Sequence, residues 1–170
     1  MKYYNVIMLP VSTAELDRIR KECSRMSLKR AFLSAAASVI PVPLTDIATD
    51  VAILKEAIPG ISRKFGLSKE QIDEYDPGLA IFVYEISRKL GGKIVGRYIT
   101  GEFAMELLKK LGIRLTAKQA AKYVPLAGQA VSAVISFAAM SLIIRRHINE
   151  CYDVAKAVME AGKHSCDCET

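Results

Sequence analysis

Residues 31–55 read "AFLSAAASVIPVPLTDIATDVAILK". A run of small and apolar residues meets Pro41 and Pro43, then resumes at once with a helical pattern. Neither proline can donate an amide, and each disfavours helix in the residue before it. The stretch therefore predicts a helix, a sharp corner at Pro41, Pro43 and Leu44, and a second helix from about Thr45. Ile47, Val51 and Leu54 fall on one face of that second helix, with Ala48 and Ala52 beside them. Asp46 and Asp50 stand near its start. The helix dipole favours Asp46 there, and Asp50 is expected to pair with a neighbouring base.

Working back from the corner, the first helix is predicted over about 12–37. Ser12 and Glu15 have the spacing of a capping box. Residues 12–30 hold six Lys or Arg against three acids. Tyr3–Leu9 is β-branched and aromatic, stops at Pro10, and reads as one short strand.

Working forward, Pro59-Gly60 is expected to break or kink the second helix, with a last turn before Gly66. Ser68 and Gln71 form another capping box, opening a short acidic helix; residues 69–85 hold five acids against one Lys. Asp76-Pro77-Gly78 marks a turn. Helices are predicted at about 79–90, 101–111 and 117–122, with a break at Gly91-Gly92. Residues 88–122 carry nine Lys or Arg and two acids. A final amphipathic helix covers about 146–162. The architecture is all-α, a multi-helix bundle of about seven helices. Its two apolar central helices follow similar proline turns, since "AAKYVPLAGQAVSAVISF" echoes the opening stretch. The domain organisation is a strand remnant or linker over 1–11, a helical domain over 12–163 and a polar tail over 164–170.

Tyr123–Ile144 is uncharged for 22 residues. A helix from Leu126 to Ile144 would span roughly 28 Å, close to the thickness of a bilayer's hydrocarbon. It reads as a central helix apolar all round because other helices surround it, with a transmembrane helix as the competing reading. Basic flanks on both sides give no orientation.

Composition narrows the function classes. Hydrophobic residues make up 51%, which excludes a disordered chain. The net charge of +6 favours anionic surfaces. The candidate contacts with such a surface are Arg18, Arg20, Lys21, Lys29, Arg30, Lys93, Arg97, Lys109 and Lys110. Nucleic acid is disfavoured, because the basic patches lack interleaved aromatics. The four cysteines match no zinc spacing and read as reduced thiols. His147 is expected to cap a helix end. "GGKIVG" at 91–96 spaces its glycines as a P-loop does, but Arg97-Tyr98 stands where Lys and Ser or Thr are required. No catalytic residue, cofactor site, metal site or small-molecule substrate is expected. No signal peptide or N-myristoylation site is expected either.

Residues 31–55, followed by "FGLSKEQID" at 65–73, resemble the C-terminal helical domain of the interferon-inducible, immunity-related GTPases. "YYNVIMLPVSTAELDRIRKE" is similar to the junction where that family's last G-domain strand enters its first C-terminal helix. The resemblance implies a cytosolic module of innate immunity, peripheral membrane association, and assembly with a GTPase of the same family or with itself. Leu44 departs from the family pattern, where Gly is usual, and so does Pro59-Gly60. No GTP-binding motif is present, so GTP hydrolysis is not carried over. A related bacterial family of GTPase-associated helical domains shares the Pro-x-Pro and Phe-Gly-Leu features. It implies the alternative, an integral or pore-like membrane protein.

Overall fold

The computed structural model describes residues 9–39, 45–92, 94–110 and 127–166. Its helices are α1 (Thr13–Val39), α2 (Thr45–Lys64), α3 (Lys69–Glu74), α4 (Pro77–Lys89), α5 (Gly101–Lys110) and α6 (Ala127–Cys166). Among the described residues the protein is all-helical, as the sequence pattern predicts. The expected strand at Tyr3–Leu9 falls almost wholly outside the described residues. So do the corner at Pro41, Pro43 and Leu44 and the helix over 117–122.

Local chemistry sets most of the boundaries. Ser12 Oγ accepts from the Glu15 amide at 3.2 Å. The Glu15 carboxylate reaches back to the Val11 amide at 3.2 Å, one residue earlier than a strict capping box. At α3 the box is complete: Ser68 Oγ accepts from the Gln71 amide, and the Gln71 side chain accepts from the Ser68 amide. Asp76-Pro77-Gly78 is a helix start rather than a free turn. Asp76 caps α4 by accepting from Gly78 and Leu79 at 3.0 and 3.1 Å, and Pro77 takes the first helical position, where its missing amide costs nothing. At the other ends, Gly66 and Gly91 adopt φ of 73° and 72°. Each closes a Schellman motif: Leu67 donates to Ser62 and Gly66 to Arg63 after α2, Gly92 to Ser87 and Gly91 to Arg88 after α4.

Two expected helix ends are corrected. α2 runs through Pro59 and Gly60 to Lys64 without a break. α6 is one helix of 40 residues that passes straight through Arg145, Arg146 and His147, so no new helix starts near 146. Nothing in 144–147 supplies a breaker, and apolar residues continue at helical spacing as Ile144, Ile148, Cys151 and Val154, all buried.

The chain forms two compact units. The first comprises Met1–Cys23, Pro59–Tyr98 and His147–Thr170, and the second comprises Ser24–Ile58 and Ile99–Arg146. α1, α2 and α6 each contribute to both. The first unit buries Leu16 and Ile19 from α1, Ile61 from α2, Phe65 and Leu67 after it, Ile72 from α3, Val83 from α4, and Ile148 and Val154 from α6. Burying side chains of this size stabilises by about 1.5–3 kcal/mol each. The second unit buries Ala31, Ile53, Leu54, Ala57, Ile58, Ala104, Leu108, Met140 and Ile144.

Candidate functional site

The glycine loop after α4 was the nearest thing in the sequence to a phosphate cradle. Its backbone does bind an anion, but one supplied by the chain. Glu150 Oε1, on α6, accepts from the amides of Ile94 and Val95 at 3.0 and 3.2 Å. A carboxylate is the internal equivalent of a phosphate oxygen at such an amide pair. The loop is thereby tied to α6 rather than open to a nucleotide. Nothing in the sequence order links residue 150 to 94, which is why the pairing was not foreseen.

A second polar group lies in the interior of the first unit. His147 is fully buried, and its Nε2 is 2.9 Å from Ser62 Oγ on α2. Cys151 Sγ lies 3.4 Å from the same nitrogen. His147 is therefore a hydrogen-bonded core residue in mid-helix, and the expectation that it caps a helix end is corrected. Hydroxyl, imidazole and thiol are the residue types of nucleophilic catalysis. Their environment opposes that chemistry. Burial pushes the Cys151 thiol well above its ordinary value, and pushes Cys23 up to about 11. A thiol shifted this way is not a thiolate at neutral pH. The cluster instead satisfies polar groups inside an apolar core.

The acids at the start of α2 separate. Asp50 is buried in the second unit and accepts a short hydrogen bond from the Ser34 hydroxyl of α1. The Ser34 hydroxyl is thus one partner of Asp50, beside the base that the sequence pattern leads one to expect. The Asp46 side chain lies outside the described residues. Among the described residues no group of three His, Cys, Asp or Glu is placed to hold a metal ion.

The candidate cations also divide. Arg20 hydrogen-bonds Asn149 at 2.8 Å and lies 4.8 Å over the Tyr152 ring. Arg30, only 17% exposed, pairs with Glu56 at 2.8 Å. Both are committed within their own units. Arg18 lies 3.8 Å from Glu15 on the surface. Lys21, Lys29, Arg97 and Lys109 are exposed. Lys93 and the Lys110 side chain lie outside the described residues. Sequence reasoning passed over Arg25, Arg145 and Arg146, which are exposed in the second unit. The signal that would have found them is the long acid-free interval around each.

The uncharged run now has two sides. Ser136, Met140, Ile143 and Ile144 are buried, whereas Val134, Ala138 and Leu142 are exposed. The expectation that this helix is surrounded on all sides is corrected for its described part. Among the described residues, no helix is long and apolar enough to cross a membrane. No family model, curated protein or solved structure matches the chain.

Proposed function

We propose that the protein is a non-catalytic helical module that assembles with a GTPase and associates peripherally with anionic membranes. The observation that carries this reading is the distribution of charge. Among the described residues the second unit holds eight Lys or Arg against five Asp or Glu, a net of +3, while the first unit holds eleven of each. The net charge of the described residues therefore belongs to one unit. Charge segregated in this way attracts an anionic surface more strongly than the same charge spread evenly.

The GTPase partner rests on the resemblance of residues 3–75 to the helical domain of immunity-related GTPases. On that reading the pattern of Tyr3–Leu9 corresponds to the last strand of that family's G domain, and the working site is the cytosolic face of a membrane in innate defence. The internal commitment of the glycine loop to Glu150 supports a role without nucleotide chemistry of its own.

The test is direct. Purified protein is mixed with a GTPase of that family, and complex formation and nucleotide-dependent assembly are followed by light scattering and analytical ultracentrifugation. Binding, or a change in assembly, is expected. If neither occurs with any nucleotide state, the GTPase part of the proposal is wrong.

A further inference from the structure

On α1 the exposed residues between 24 and 36 include Arg25, Leu28, Lys29, Phe32, Leu33 and Ala36. On α6 the exposed residues between 134 and 146 are Val134, Ala138, Leu142, Arg145 and Arg146. The two strips meet where Phe32 packs on Phe137, ring centroids 5.0 Å apart. Phe32 is nevertheless 60% exposed, Leu33 60%, Val134 67%, Leu142 57% and Leu28 43%. Single exposed apolar residues are ordinary, but large ones gathered on adjoining helix strips mark an interaction surface.

The charge on these two strips is of one sign. No Asp or Glu occurs at 24–36 or at 127–149, while Arg25, Lys29, Arg145 and Arg146 are all exposed there. A second copy of the chain would bring the same four cations against themselves. A nucleic acid would match the charge but would leave Leu28, Leu33, Val134 and Leu142 against phosphates and water. An anionic bilayer satisfies both features, because its phosphates lie at the level of the cations and its acyl boundary lies just beneath.

We propose that the α1–α6 face of the second unit is the membrane-contacting surface. Phe32, Leu33, Val134 and Leu142 enter the headgroup–acyl boundary, and Arg25, Lys29, Arg145 and Arg146 hold lipid phosphates. The inference rests on the membrane half of the function proposed above and assigns it to specific residues.

The full chain is sedimented with vesicles of phosphatidylcholine, with and without phosphatidylserine, at rising salt. Binding to the anionic vesicles alone is expected, weakening as salt screens the attraction. Each cation near such a surface strengthens binding about fivefold, so Arg25→Ala/Lys29→Ala should lose about 25-fold. Phe32→Ser/Leu33→Ser should lose about tenfold or more through the apolar contact. Both variants are checked for native helicity by circular dichroism, and the charge variant alters only exposed side chains. If the wild type binds and both variants bind equally well, another face makes the contact, and this inference falls while peripheral binding stands. If the wild type binds no anionic vesicle, both fall. A dimer dissolved by Phe32→Ser/Leu33→Ser, or binding to an oligonucleotide in place of vesicles, would likewise overturn the assignment.

Discussion

Ser62→Ala tests the interior of the first unit most sharply. Ser62 is 5% exposed, His147 is fully buried, and their polar atoms are 2.9 Å apart. Removing the hydroxyl deprives a buried imidazole nitrogen of its best partner, which costs about 1–3 kcal/mol. Two effects reduce the loss. Cys151 Sγ remains 3.4 Å from that nitrogen as a weak partner, and Ala is the better helix former by about 0.5 kcal/mol. A net loss of about 1 kcal/mol follows, or roughly 2–4 °C in Tm for a chain of this size. His147→Leu should cost more through shape, but it leaves the Ser62 hydroxyl able to turn back to a carbonyl of its own helix. The double variant Ser62→Ala/His147→Leu should therefore lose about 1 kcal/mol less than the sum of the single losses. Urea titrations followed by far-ultraviolet circular dichroism and by tyrosine absorbance measure all four proteins. If the two losses simply add, or if Ser62→Ala is neutral, the hydrogen bond does not stabilise the core as argued.

Three further outcomes are expected. An alanine Cβ at Gly92 would lie 2.5 Å from Ser87 Oγ, 2.9 Å from the Ser87 carbonyl and 2.9 Å from Glu150 Oε1. Gly92→Ala should loosen the loop from α6 and destabilise by about 1–3 kcal/mol, read as faster amide exchange at Ile94 and Val95. Lys64 holds the Glu22 carboxyl below its ordinary value of 4.5 through a 2.6 Å hydrogen bond and its charge. The folded form thus holds its proton less tightly than the unfolded form, so the contribution is present above pH 4.5 and is lost as pH falls through the folded value. Both side chains are more than a third exposed, so Glu22→Gln should cost under about 1 kcal/mol at neutral pH and nothing in strong acid, as thermal melts across that range would register. Cys23 and Cys151 should resist alkylation in the native protein at mildly alkaline pH and react after denaturation; peptide mass mapping that finds either modified in the folded state would contradict their burial.

Much of the fold was legible because its signals are short. Ser12 and Ser68 bond amides within three residues of themselves, so the helix starts they make are written in consecutive letters. The misreadings fell where a local sign was ambiguous. Pro59-Gly60 looked like a breaker, yet α2 continues on either side because Leu54, Ala57, Ile58 and Ile61 remain buried at helical spacing. Arg145-Arg146-His147 looked like a helix border, yet only the two arginines face solvent and His147 points inward.

The site was harder to read. Of the cations picked from the sequence, Arg20 and Arg30 turned out to be engaged with Asn149 and Glu56, at separations of 129 and 26 residues. Arg145 and Arg146 stand in the sequence only as the basic flank of an apolar run.

By itself, the sequence determined the helical character of the described residues, where most of their helices begin and end, and a surplus of positive charge. Each depends on composition or on partners within a turn. Tertiary structure decided which side of the described part of the uncharged run faces inward, that Ser62 meets His147 from 85 residues away, that Glu150 fills the glycine loop, and that the surplus charge of the described residues belongs to a single unit. Burial and long-range pairing depend on which helices come together, and helical periodicity alone does not specify a helix's neighbours.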